Sequence, residues 1–233
     1  VSETTRCMVG RSVDLSSAKR EIVDHSGAKT ILSIRNLWVD MPGETVRNVT
    51  LDVKEGEILG IGGLAGQGKL GIPNGVMGLY EVAFPDMQIQ NKFLKKIGPV
   101  TWRDEKAIHD ITQKYINELM IKCTSSLQKA RELSGGNQQK ICLAKAFALE
   151  PRFLFVSEPT RGIDVGAKAL VLDALKRFNR ENGVTVVMIS SELEELRQTC
   201  DRIAIVSGGR IAGILPATDS SEAFGALMVS QVK

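Results

Sequence analysis

The chain has 233 residues, with 30 Lys plus Arg against 27 Asp plus Glu and a formal net charge of +3 at pH 7. At 43% hydrophobic and 24% charged residues, it is a globular chain with enough material for one large domain or two small ones. Its balance is wrong for a disordered chain or a dedicated nucleic-acid binder, and no apolar run approaches the ~20 residues of a membrane helix. The polar N-terminus lacks the pattern of a secretory signal, so any work at a membrane is expected to go through a partner.

Residues 1–27 are polar and weakly periodic, ending in His25-Ser26-Gly27, and read as a tail or linker. Ile31 to Arg35 and Val46 to Val53 alternate apolar and polar residues, as half-buried strands do, with Pro42-Gly43 as the turn between them. A second turn, Lys54-Glu55-Gly56, leads into Glu57 to Ile61, a buried central strand that Gly62-Gly63 breaks. Gly63-Leu64-Ala65-Gly66-Gln67-Gly68-Lys69 follows. Glycines at this spacing between a strand and a helix let backbone amides approach phosphates, and Lys69 supplies charge for the β- and γ-phosphates. Leu70 and Gly71 complete the phosphate-binding segment. A complete phosphate loop has Ser or Thr at the first of these positions to hold Mg²⁺, and Leu70 cannot ligate a metal. The next helix, Leu70 to Gly78, carries Gly71, Pro73, Gly75 and Gly78, so strong packing must hold it or it must bend.

Thr101 can cap a helix running to about Ile121, with Ile108, Ile111, Tyr115, Ile116 and Leu119 on its apolar face and His109 off the stripe. In Leu133-Ser134-Gly135-Gly136-Asn137-Gln138-Gln139-Lys140, a serine and two glycines open an apolar helix from Ile141 to Leu149, stopped by Glu150-Pro151. Ser134 is expected to cap it, and free amides at its start would form an anion site. Phe153 to Val156 reads as a strand buried in a parallel sheet, followed by Ser157-Glu158-Pro159-Thr160. Gly166 to Phe178 is helical with Leu172, Leu175 and Phe178 inward. Thr185 to Ser190 is a strand, Glu192 to Thr199 a helix, and Arg202 to Ile214 a hairpin turning at Gly208-Gly209. Strands alternating with helices predict an α/β sheet protein. Cys7, Cys123, Cys142 and Cys200 are scattered, as reduced thiols rather than metal or disulfide partners would be.

Leu-Ser-Gly-Gly-Asn-Gln-Gln resembles the signature motif of ABC-type ATPases. The phosphate loop before it and Glu158 after it stand in that family's order, so the resemblance spans residues 28–215. It implies a P-loop NTPase core sheet flanked by helices, with a helical subdomain at about 82–132 and a small antiparallel β subdomain. Residues 28–233 would form one nucleotide-binding domain, and residues 1–27 a linker from an upstream half. The implied cofactors are ATP and Mg²⁺. The family places an Asp where Ser157 stands, so with Leu70 the two protein anchors of the metal are weakened, and no metal ligand is assigned. The implied catalytic residues are Glu158, which orients or activates the attacking water, and Ser191, which stands where a histidine usually touches the γ-phosphate. Arg161 to Asp164 resembles the loop that crosses to a partner domain. Trp38 is the nearest aromatic candidate to stack on adenine, although Met41 lies closer to the expected position and Trp38 is better explained as a core or surface residue.

In that family each nucleotide is sandwiched between one domain's phosphate loop and the other's signature. Ser134, Gly135, Gly136, Asn137 and Gln138 would then close on nucleotide held by a partner, while this chain's own phosphate loop forms a slow, degenerate site. Gly136-Asn137-Gln138-Gln139, Pro159 to Asp164 and Ser190-Ser191-Glu192-Leu193 resemble the second half of tandem ribose-type sugar-importer ATPases, and Met8-Val9-Gly10-Arg11 resembles the end of a first half. The implied partners are that first half, transmembrane permease subunits and, indirectly, a solute-binding protein, with no nucleic acid. The implied location is peripheral, on the cytoplasmic face of the inner membrane. The interval from Lys69 to Leu133 is short for the family and has no evident glutamine loop. Residues are therefore expected to be missing near Tyr80/Glu81, and Gln88 and Gln90 are expected in the helical subdomain. The alternative function is a regulatory nucleotide-binding domain with negligible turnover, which Leu70, Ser157 and Ser191 favour. ABC ATPases of DNA repair or translation would need long heptad arms or a charged linker, and neither occurs.

Overall fold

The structure, a computed structural model, describes residues 23–79, 82–83, 86–89 and 105–230. It begins with an antiparallel hairpin of β1 (Thr30–Val39) and β2 (Val46–Lys54), which turns at Pro42-Gly43. Val49, Leu51 and Val53 are buried at alternate positions of β2, the period-two pattern of a strand with one face on a core, and Val46 joins the same core across a shift in register. Two short strands, β4 (Val82–Ala83) and β5 (Asp86–Ile89), pair antiparallel with β1. Gln88 therefore lies on a strand opposite Ser33, and not in a helical subdomain as expected. Hydrogen bonding to β1 decides this, and the local sequence carries no sign of it. Gln90, Thr101 and the Tyr80/Glu81 junction lie outside the described residues.

The second sheet has the order β6-β7-β3-β8-β9. Its strands β3 (Ile58–Gly62), β6 (Phe153–Ser157), β7 (Thr185–Ile189) and β8 (Arg202–Ser207) are parallel, and β9 (Arg210–Pro216) turns back antiparallel. β3 and β7 are buried at every position, because both faces of this sheet are covered. Leu59, Ile61, Val187, Ile189, Ala204 and Val206 face the hairpin sheet, whereas Ile58, Val186, Met188, Ile203 and Ile205 face the helices. Two cores thus share one sheet, and alternate residues of each strand enter alternate cores.

The helices are α1 (Gly71–Val76), α2 (Glu105–Glu118), α3 (Gly135–Ala148), α4 (Val165–Asn182), α5 (Leu193–Thr199) and α6 (Ser221–Val229). α4 exceeds the expected span at both ends because Asp164 caps its start, accepting from the Ala167 amide at 3.0 Å, and Gly183 ends it at φ +64°. On α2, Tyr115 is buried, as is Leu119 just beyond its end, but Ile108 and Ile111 are 41% and 37% exposed. Phe147 of α3 stacks on Phe178 of α4 with ring centroids 4.1 Å apart. α6 was not anticipated; Ser220 caps it by accepting from the Ala223 amide at 3.2 Å.

The glycines of α1 have a steric reason. A Cβ on Gly71 would lie 2.2 Å from the Glu44 carbonyl oxygen, and one on Gly75 would lie 2.4 Å from Val39 Cγ2. This helix rests directly on the β1–β2 hairpin, and the packing offsets its poor propensity. At the other end of the chain's first segment, His25 Nε2 lies 3.3 Å from Asp201 Oδ2, so the end of the expected tail meets the core. No helix among the described residues is long and apolar enough to cross a membrane.

Candidate nucleotide site

The loop from Gly63 to Lys69 leaves β3 and enters α1, the strand–loop–helix arrangement that the motif needs. Gly63, Gly66 and Gly68 have φ of +145°, +75° and +99°. These values turn alternate N–H groups toward one point, as in an anion-binding nest. The amides of Gly66, Gly68 and Leu70 converge on the Glu44 side chain, at 3.0 and 2.9 Å to its Oε1 and Oε2 and 3.2 Å to Oε2 again. Leu64 and Ala65 are exposed at the loop tip, and Gln67 binds the β8–β9 turn through Gly208 and Gly209.

Lys69 is only 2% exposed. Its ammonium donates to the Gly63 carbonyl at 3.1 Å and to Ser191 Oγ at 2.7 Å. Ser191 Oγ in turn donates to Glu158 Oε1 at 2.6 Å. The fold therefore brings together three residues far apart in sequence, one each from the phosphate loop, the end of β6 and the loop after β7. Glu158 sits at φ +48°, its amide donating to the Ile189 carbonyl at 2.8 Å, so the backbone that presents its carboxylate is pinned to β7.

Behind this trio lies a buried carboxylate that sequence reasoning missed. Glu195 accepts from Thr160 Oγ1, from Ser190 Oγ at 3.0 Å and from Lys168 Nζ at 3.2 Å. It ties the Pro159-Thr160 segment to the loop that bears Ser191. Lys168 also binds Glu192; that hydrogen bond, reinforced by Glu195, holds its ammonium above the usual lysine range.

Ser134 occupies the N-cap position of α3 at φ −60° and ψ 154°, but its side chain does not cap the helix. Instead Ser134 Oγ accepts from Asn137 Nδ2 at 3.0 Å. Asn137 Oδ1 accepts from the Lys122 amide at 3.1 Å, and Gln138 Nε2 donates to the Leu133 carbonyl at 2.8 Å. Asn137 and Gln138 thus brace the loop that leads into α3. Gly135 is exposed with open space about it, while a Cβ on Gly136 would lie 3.6 Å from the Gly162 carbonyl oxygen and from Ile163 in the loop after β6. Gln139, not assigned a role from sequence, donates to the Glu158 carbonyl at 2.7 Å and connects this motif to the trio.

Leu70 is half-buried against the hairpin core, and Ser157 is exposed at the end of β6. Among the described residues no group of three or more His, Cys, Asp and Glu side chains is placed to hold a metal. The converging amides and Lys69 fit a phosphate chain. Trp38 is 41% exposed on β1, and Met41 Sδ takes a hydrogen bond from Asn74 Nδ2 at 3.2 Å. Cys142 is exposed, Cys123 half-buried and Cys200 buried.

A phosphate nest between β3 and α1 on a mostly parallel sheet defines a P-loop nucleotide-binding domain. The family model "ABC transporter" matches residues 75–161. A ribose import ATP-binding protein of Rhizobium meliloti is 30% identical over 94% of this chain and 50% of its own length. A putative ribose/galactose/methyl galactoside import ATP-binding protein of Burkholderia lata is 32% identical over 92% of this chain and 49% of its own. The chain spans about half the length of these relatives. The dimeric structure of a bacterial ABC transporter cassette superposes with a TM-score of 0.69 at 19% identity, covering 81% of this chain and all of that one. A related post-hydrolysis structure with ADP and Pi gives 0.68 at 20% identity, over 81% of this chain and all of its own. The chain belongs to the ABC transporter family and is an ATPase domain of that family.

Proposed function

We propose that the chain is the second nucleotide-binding half of a tandem ATPase that powers import of a sugar or related small solute, and that its own phosphate site is degenerate. Its partners are the first half of the same polypeptide, permease subunits and, indirectly, a solute-binding protein, and it acts peripherally at the inner membrane's cytoplasmic face. The carrying observation is the unequal state of two motifs. The α3 start is open at Gly135, whereas the phosphate loop has an apolar residue where a metal anchor belongs.

ATP, when bound, supplies the phosphoanhydride whose cleavage drives the cycle. The amides of Gly66, Gly68 and Leu70 would hold phosphate oxygens, with Gly63, Leu64, Ala65, Gln67 and Gly71 shaping the loop around them. Lys69 would turn from Ser191 toward the phosphates. Glu158 would orient water, but Ser191 already holds one of its oxygens. Ser191 is also shorter than the histidine usual at this position. With two metal anchors changed, slow turnover follows, because each lost preorganised contact costs about 3 kcal/mol, roughly a hundredfold in rate. Ser134, Gly135, Gly136, Asn137 and Gln138 would complete the other half's site.

The test uses the full tandem protein. Lys69→Ala should abolish nucleotide binding to this half, whereas Ser134→Arg should leave that binding intact and cripple ATP turnover and transport. Equal loss of nucleotide affinity in both variants would overturn the division of roles. The regulatory reading is favoured by the same Leu70, Ser157 and Ser191. Ser134→Arg with full turnover and transport would select it.

A further inference from the structure

We propose that Glu44 is a built-in occupant of the phosphate nest, so that this half accepts nucleotide only when the Glu44 carboxylate swings out. The proposal rests on the reading of the Gly63–Gly71 loop as a nucleotide site and names what regulates it.

Three alternate amides of the loop, those of Gly66, Gly68 and Leu70, already donate to this one carboxylate at 2.9 to 3.2 Å. A carboxylate with two oxygens and one negative charge is the nearest protein mimic of a phosphate group, and amides arranged this way bind either. Glu44 is only 9% exposed although it sits in a turn. Its backbone is seated as well: the Glu44 amide donates to the Met41 carbonyl at 2.9 Å. Gly68, Gly71 and Gly209 are packed so closely against this turn that a Cβ on each would lie 2.5, 2.2 and 2.6 Å from the carbonyl oxygens of Thr45, Glu44 and Thr45 respectively. The turn is thus held between the phosphate loop and the β8–β9 turn, while a rotation of the Glu44 side chain alone would free the nest. Lys69 is likewise engaged internally, on Gly63 and Ser191. Amides and cation are both satisfied by the chain itself, which makes this a closed state rather than a nest awaiting an anion.

A triphosphate must compete with this internal anion, and its apparent affinity falls by the fraction of time the nest is open. Glu44→Gln keeps the shape and removes the charge, and Glu44→Ala removes the plug. In the full tandem protein carrying a P-loop lysine substitution in the other half, ATP and pyrophosphate binding are measured by calorimetry with and without Mg²⁺. Glu44→Gln should tighten ATP roughly tenfold and Glu44→Ala at least as much, as expected when one charged hydrogen-bonding competitor is lost. Pyrophosphate should follow the same order, and ATP should raise the melting temperature of Glu44→Gln more than that of the unaltered protein. Unchanged affinity in Glu44→Gln overturns the proposal, even if Glu44→Ala fails to fold. Weaker, Mg²⁺-dependent binding in Glu44→Gln also overturns it and makes Glu44 a metal ligand. If the unaltered protein and both variants bind neither probe at this half, the nucleotide reading of the loop falls, and the proposal with it.

Discussion

Gly71→Ala puts a number on how tightly α1 lies on the hairpin. The new Cβ would stand 2.2 Å from the Glu44 carbonyl oxygen and 2.6 Å from Val46 Cγ2. The first of these is backbone and cannot rotate away, so the turn or the helix must shift. Overpacking of this kind costs about 3 kcal/mol at its upper end. Replacing a helical glycine returns about 1 kcal/mol, leaving a net loss of roughly 2 kcal/mol. For a domain of this size that corresponds to a melting temperature lower by about 4–8 °C. Gly135→Ala is the matched control, since nothing lies within 4 Å of its Cβ. It should leave the melting temperature unchanged or slightly raised. Thermal and urea unfolding of both variants, followed by circular dichroism, measures the difference. A Gly71→Ala protein as stable as its parent would show that the turn slides freely and that the close approach carries no energy.

Glu195→Ala should cost about 3 kcal/mol in urea unfolding, because it leaves the buried Thr160 and Ser190 hydroxyls without their acceptor, while Lys168 keeps its pair with Glu192; a loss below about 1 kcal/mol would mean water replaces the carboxylate. The hydrogen bond from Arg35 holds the Asp52 carboxyl below the usual carboxylate range. Its stabilisation is therefore present above about pH 4 and is lost as pH falls through the lowered native value. The stability gap between the parent and Arg35→Ala should shrink below about pH 4, and a gap that widens in acid would contradict this. Restoring both metal anchors with Leu70→Ser and Ser157→Asp should make ATP binding to this half Mg²⁺-dependent, measured by titration with and without EDTA. No change would overturn the proposed assignment of these two positions as the metal anchors.

The motifs were legible because each reports a local need. Gly63 and Gly68 stand where backbone must adopt positive φ, and the apolar runs at Ile58 and Val186 stand where a sheet is covered on both faces. Asp164 and Gly183 set the true ends of α4, beyond the Gly166 to Phe178 span that the apolar periodicity predicts. What stayed hidden depends on contacts between distant segments. A glutamate after Pro-Gly reads as a solvated turn residue, and no periodicity places Glu44 in a loop more than twenty residues downstream. Gln139 and Glu195 look like ordinary helix-surface residues until the loops around Glu158 and Ser190 are in place. β5 failed for the same reason: its pairing with β1 is a long-range event.

The β8–β9 turn has a practical consequence. Gly208 is exposed at a hairpin tip, the kind of place normally chosen for grafting a tag or fluorescent reporter. Here the Gly208 amide donates to Gln67 Oε1 at 2.7 Å, the Gly209 amide to the Gln67 carbonyl at 2.9 Å, and the Arg47 amide to the Gly209 carbonyl at 2.7 Å. An insertion there would cut the stitches joining this turn to the phosphate loop and to the start of β2. The Gly183 turn, with open space about it, is the site at which the chain should accept foreign residues without losing its grip on nucleotide.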